Sequence, residues 1–135
     1  MDIRKLALIP TAVLHLCDAN DDPIYADAKK EKPVQVHLYG PGSKQFEAAE
    51  TKNSRRVLES VTGRRGKKKN ADQKEWRVDF LVAITDRFEN LEYDKLEGDA
   101  LARAVYGDAT LRFIADQVHA FVHDAANFTK NSETN

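Results

Sequence analysis

His119 and His123 stand four residues apart, with Asp116 and Asp124 beside them. On a helix this spacing puts both imidazoles on one face, a geometry that can grip a divalent metal. No third ligand follows at a set distance, and no glutamate lies between the two as a zinc protease would need. The pair therefore reads as an edge of a helix surface, with no metal or other cofactor expected. The densest charge is the cluster Arg64, Arg65, Lys67, Lys68 and Lys69. Five cations could neutralise phosphates. Readers of single strands add aromatic side chains to such charges, and none occurs between Phe46 and Trp76. The cluster is expected to be a solvated loop over residues 64–71, with an acidic protein as a better partner than nucleic acid.

The remaining chemistry is sparse. Ser43, Ser54 and Ser60 lack a nucleophile elbow, and the glycines at 40, 42, 63 and 66 do not join a strand to a helix as phosphate cradles do. Cys17 is the one cysteine, which excludes an intrachain disulfide and suits a reducing compartment. Asn127-Phe-Thr129 matches a glycosylation sequon that such a compartment would leave unused. No run of 18 apolar residues exists, so no membrane span is expected. Nothing here points to an enzyme.

The elements that must carry these residues follow from pattern. The chain has 135 residues, 41% hydrophobic and 32% charged, enough for one domain with its own core. Thr11 to Cys17 and Pro33 to Tyr39 alternate as strands, with Val34, Val36 and Leu38 on one face. Ile24 and Tyr25 predict a short strand between them, giving a small antiparallel meander. Ser43 is a fair N-cap for a helix running to about Val61, with Phe46, Ala49, Val57, Leu58 and Val61 inward. Trp76, Phe80, Ile84 and Phe88 recur every fourth residue and predict a core helix from Gln73 to about Leu91. A short helix over 99–106 and an amphipathic one over 108–126 complete the chain. The class is α+β: an N-terminal β-meander followed by about four helices, with residues 1–10 and 130–135 flexible. Charge is unevenly spread. Residues 44–77 carry 11 Lys/Arg against 5 Asp/Glu, and residues 78–135 carry 5 against 11, so the two regions could attract one another between copies of the chain as easily as within one copy.

Three segments together resemble the tail assembly chaperones of long-tailed bacteriophages, in the form found in phages and prophages of Gram-negative bacteria. They are Val36-His-Leu-Tyr-Gly-Pro-Gly-Ser-Lys-Gln-Phe46-Glu-Ala-Ala, Phe80-Leu-Val-Ala-Ile-Thr-Asp-Arg-Phe-Glu-Asn-Leu91, and the ending from Tyr106-Gly-Asp108 through Gln117-Val-His-Ala-Phe121 to Asn127-Phe128-Thr129. Where such chaperones often carry a tryptophan-rich stretch, this chain has Glu92-Tyr-Asp-Lys-Leu96. The resemblance implies a non-enzymatic protein of the host bacterial cytoplasm. It would bind the tape measure protein, help recruit the tail tube protein, self-associate into oligomers, and be absent from the finished virion. It also implies that this is the short product of a gene that can yield a longer one by frameshifting. Tyr106, Phe113 and Phe128 are the expected contacts with the partner or a neighbouring copy, because Phe113 falls off the main apolar stripe of its helix. A head-tail completion protein and a nucleic-acid binder using the 64–69 cluster are the alternatives.

Overall fold

A computed structural model describes residues 1–62 and 70–130. Its elements are β1 (Thr11–His15), β2 (Gln35–Tyr39), α1 (Lys44–Thr62), α2 (Asn70–Ala83), β3 (Thr85–Glu89), α3 (Gly98–Gly107) and α4 (Arg112–Val122). Short 3-10 helices cover Ile3–Leu6, Ala109–Leu111 and Ala125–Phe128. The fold is α+β: among the described residues a three-stranded antiparallel sheet in the order β1-β2-β3 is joined by four α-helices. The expected basic loop, 64–71, lies outside the described residues except for Asn70 and Ala71, which open α2. Of the expected C-terminal tail, Lys130 alone is described.

The central strand behaves as its alternation requires. Val34, Val36 and Leu38 are buried, and Leu14 and Ala12 lie opposite Val36 and Leu38 on β1. The third strand is a correction to the sequence reading. Ile24 and Tyr25 form no strand: Tyr25 makes an isolated bridge with Pro33, and Ile24 exchanges backbone hydrogen bonds with Leu16 and Val34. The strand that completes the sheet is β3, taken from the second half of the expected core helix. A spacing of four is even, so Phe80, Ile84 and Phe88 satisfy a two-residue repeat as well as a helical one. Thr85 ends the helix by donating its hydroxyl to the Leu81 carbonyl at 2.7 Å. Opposite β2 the register steps from His37↔Arg87 to Leu38↔Thr85, leaving Asp86 as an extra residue. That bulge lets Thr85 and Phe88, three apart, both face the core beneath Leu38 and Val36.

Ser43 caps α1 as expected. Its hydroxyl accepts from the Phe46 amide at 3.1 Å and donates to the Gly40 carbonyl at 2.7 Å. Only the first half of α1 enters the core, through Phe46 and Ala49. Val57, Leu58 and Val61 were expected inward and stand 47, 62 and 78% exposed. The inward line continues instead through Asn53, Arg56 and Ser60. Arg56 there donates to Asp79 of α2 at 2.9 Å, while Arg103 of α3 donates to the other Asp79 oxygen at 2.7 Å. One carboxylate thus ties three helices. Burial alone would raise the Asp79 carboxyl, but the Arg103 and Arg56 hydrogen bonds outweigh it and hold it below the usual carboxylate range.

The segment ahead of β1 is tied to the rest of the fold by backbone hydrogen bonds. Residues 1–7 are exposed, yet the Ile9 amide donates to the Phe128 carbonyl at 2.7 Å, and Pro10 accepts from the Gly40 amide at 2.9 Å. The segment 8–10 is therefore held against the C-terminal turn. That turn begins where α4 stops: His123 leaves helical geometry and Asp124 caps the 3-10 helix by accepting from the Ala126 amide at 3.1 Å. The reversal drives Phe128, fully buried, against Gly40, whose missing side chain leaves the space the ring occupies. No helix among the described residues is long and apolar enough to cross a membrane.

Candidate functional site

The histidine pair lies in a groove of about 300 Å³ between α1, α2 and α4. Val57, Trp76 and Phe80 give it apolar walls, and Asn53, Ser60 and Gln73 a rim of amides and a hydroxyl. Phe80 is a core residue of α2 whose ring also reaches this surface. His123 stacks on it at 5.7 Å between centroids and meets Phe46 edge-on at 5.8 Å. The same imidazole points its Nδ1 at the His119 carbonyl, 2.8 Å away. A carbonyl only accepts, so Nδ1 carries the proton there. His119 sits 4.3 Å from His123, ring to ring. Burial first, then the neighbouring His123 and Arg77, hold His119 below the usual imidazole range, with Asp116 opposing. Arg77 is itself tied to Asp116 at 2.6 Å.

Chemically the groove is a receptacle for an apolar side chain with a few hydrogen bonds at its lip. The two imidazoles are spent on packing and on a backbone carbonyl. Among the described residues no three potential ligands converge to hold a metal.

The three expected contact residues do not come together. Tyr106 is 4% exposed, packed against Phe88, with its hydroxyl 2.7 Å from Thr85 Oγ1. Phe128 packs against Phe121 and Gly40. Both are core residues, so neither offers its ring to a partner in this fold. The reason lies in what surrounds them: α3 lies over β3, which hides Tyr106, and the C-terminal turn folds back, which hides Phe128. Phe113 is half-buried against the core and keeps part of its ring at the surface. Arg64, Arg65, Lys67, Lys68 and Lys69 lie outside the described residues.

One organising residue went unread in the sequence. Gln117 of α4 accepts from the Cys17 amide at 2.8 Å and donates to the Cys17 carbonyl at 2.8 Å, as a neighbouring strand would. It fixes the end of β1 to the last helix across 100 positions of chain. The signal was a polar residue flanked by Ile114 and Val118 on the inward side of α4. Replacing Gln117 with alanine is expected to cost about 1–2 kcal/mol, because two half-buried backbone groups lose their partners. Urea unfolding would read it as a lower midpoint at unchanged slope, and a loss below about 0.3 kcal/mol would show the clamp to be idle.

A second cavity, of about 630 Å³, opens beside β3. Thr85 to Phe88 form one wall, the segment 91–97 and the first turn of α3 the others. Since β3 is the last strand of the sheet, its outer backbone edge faces no other strand among the described residues. Asn90, Asp94 and Lys95 adopt left-handed backbone angles (φ 62, 48 and 62°), which shape the intervening loop. Tyr93 anchors it by donating to Asp108 at 2.9 Å.

Compared with known protein families, with characterised proteins and with solved structures, the chain finds no match.

Proposed function

We propose that the protein is a tail assembly chaperone of long-tailed bacteriophages. In this reading it keeps the apolar, helical tape measure protein soluble while tail tube subunits gather around it, and it leaves before the particle is complete. It holds its client and makes or breaks no covalent bond.

The observation that carries the reading is the exposed apolar lip of α1. Val57 and Val61 stand 47 and 78% exposed, and Val57 continues into the groove lined by Trp76 and Phe80. An apolar ridge beside a receptive groove suits a helical client, which offers side chains at spacings of three and four residues. One such contact is weak, and many copies along one long client become strong together. The polar rim of the groove keeps the empty chaperone soluble. The resemblance of the three sequence segments supports the same reading.

Co-expression with the tape measure protein of the same phage tests it. The unaltered chain should hold the client in the soluble fraction. The double variant Val57→Glu with Val61→Glu should lower soluble client by about 10-fold, while its own stability shifts by no more than about 0.5 kcal/mol, as for most surface changes. Equal client recovery from both proteins would overturn the proposal. So would finding the chain in purified virions, an outcome that favours a head-tail completion protein.

A further inference from the structure

The groove between α1, α2 and α4 is charged in one sense only. Arg77, His119 and His123 line it, and no carboxylate does. Asp116, outside the lining, is shared by two guanidinium groups, Arg77 at 2.6 Å and Arg112 at 3.7 Å, so it neutralises one cation of the two. Trp76 and Phe80 make the groove's apolar surface. Its volume of about 300 Å³ is that of about ten waters, room for one branched side chain with a carboxylate beside it. The complement of such a groove is an apolar knob set among unpaired acids.

The described chain presents one. Residues 92–99 carry Glu92, Asp94, Glu97 and Asp99 against Lys95 alone. Among the described residues none of these four carboxylates forms an ion pair. Leu96 stands between them, 38% exposed. The turn that carries it is preformed. The Leu96 amide donates to the Tyr93 carbonyl at 3.0 Å, Asp94 and Lys95 hold left-handed angles, and Tyr93 is anchored to Asp108. A knob built in advance loses little freedom on docking. The other exposed large apolar residues do not match the groove. Met1, Ile3 and Leu6 flank Arg4 and Lys5, and Asp2 is already neutralised by Arg4 at 2.9 Å. Val13 lies on β1 opposite His37. Val57, Leu58 and Val61 belong to the groove's own helix.

We propose that the groove receives the Leu96–Glu97 turn of a second copy of the chain, with Leu96 on Trp76 and Phe80 and Glu97 against Arg77. Within one copy the two surfaces stay apart. No residue between 84 and 107 lines the groove, and the Tyr93–Asp108 hydrogen bond keeps the turn beside β3. The turn that fills a groove therefore comes from another molecule. Turn and groove are different surfaces, so the contact is heterologous and copies add head to tail. Attraction between exposed charges makes the assembly sensitive to ionic strength. A neighbour seated in the groove also excludes a client from it, a competition that rests on the chaperone reading. Docking itself does not rest on it. A chain that docks and holds no client sinks the chaperone reading alone, and one that holds its client but stays monomeric sinks this contact alone.

The test uses the full chain and two variants. The knob variant is Leu96→Ser with Glu97→Arg, and the groove variant is Arg77→Glu. In sedimentation velocity the unaltered chain should form dimers and longer assemblies, weakened at least about 10-fold when salt rises to about 0.5 M. Each variant alone should run as a monomer. An equal mixture should give a one-to-one dimer and nothing longer. The intact turn of the groove variant meets the intact groove of the knob variant, and no further pair remains. Dimer formation on mixing also shows that both variants are folded. With the tape measure protein as client, the knob variant should capture at least as much as the unaltered chain, since its groove is intact and free of neighbours. The proposal is overturned if the unaltered chain stays monomeric, or if either variant associates like the parent. It is equally overturned if the mixture stays monomeric or grows past the dimer, or if the knob variant loses a client that the parent holds, which would make Leu96 a client contact.

Discussion

Replacing Phe128 with alanine is expected to remove about 3–5 kcal/mol of stability, the usual cost of deleting a buried aromatic ring. The sequence reading places this residue among the partner contacts, six residues beyond the end of α4 and two from the last described residue. The structure makes it a closing element. Its ring is fully buried, stands 5.6 Å from Phe121, and occupies the space a side chain at Gly40 would need. Its carbonyl holds the Ile9 amide. Loss of the ring therefore loosens the C-terminal turn, the segment 8–10 and the β2–α1 junction together. Against a total of about 5–15 kcal/mol for a domain of this kind, the loss is a large fraction. Chemical denaturation would show the midpoint falling, by about 2 M in urea for a typical slope. A second substitution sharpens the test. Gly40→Ala should destabilise the parent through overlap with the ring and be nearly neutral once Phe128 is alanine, a coupling that independent sites would not show. A loss under about 1 kcal/mol for Phe128→Ala would mean that the C-terminal turn does not close the core.

The contrast between Phe128 and β2 shows what the sequence makes legible. In β2, Val34, Val36 and Leu38 alternate with polar neighbours, and a two-residue repeat has one structural meaning when one face is buried. The N-cap at Ser43 and the short α3 were equally plain, since caps and glycine boundaries are local chemistry. Phe128 offered a single aromatic in a polar setting, and only the close approach of Gly40, 88 positions earlier, explains it. The strand β3 was hidden for another reason. Its apolar residues keep a spacing that serves helix and strand alike, and the bulge at Asp86 then breaks the repeat that would have betrayed it.

The site was legible in part. His119 and His123 were marked by spacing alone, but their neighbours Trp76, Phe80 and Val57 come from two other helices, and no local rule assembles them. Val57 and Val61 were read as core because a helix with apolar residues at that spacing normally buries them. The Arg56–Asp79 hydrogen bond reverses that expectation by turning the polar side of α1 toward α2. The clamp from Gln117 to Cys17 was legible only by half: its place between Ile114 and Val118 marks a polar residue on the inward side of α4, but nothing local names a backbone 100 positions away as its partner.

Tyr106 separates a core role from a contact role most sharply, because its ring and its hydroxyl can be removed one at a time. Tyr106→Ala is expected to cost about 3–5 kcal/mol, as for other buried rings. Tyr106→Phe should cost only about 0.5–1.5 kcal/mol. The hydrogen bonding explains the gap. Thr85 spends its one hydroxyl proton on the Leu81 carbonyl, so at the 2.7 Å contact the Tyr106 hydroxyl must be the donor. Taking that hydroxyl away leaves no donor stranded. Burial also pushes the phenol far above its ordinary value. A group whose value is raised by folding contributes its stability below the unfolded value and loses it as pH rises. The parent should therefore weaken steadily above about pH 10, where the unfolded tyrosine begins to ionise, and Tyr106→Phe should lack that part of the decline. Denaturation midpoints measured between about pH 8 and pH 11 for the parent and Tyr106→Phe would read it. Parallel curves, or a Tyr106→Ala protein as stable as the parent, would place this ring at a surface and return it to the partner contacts.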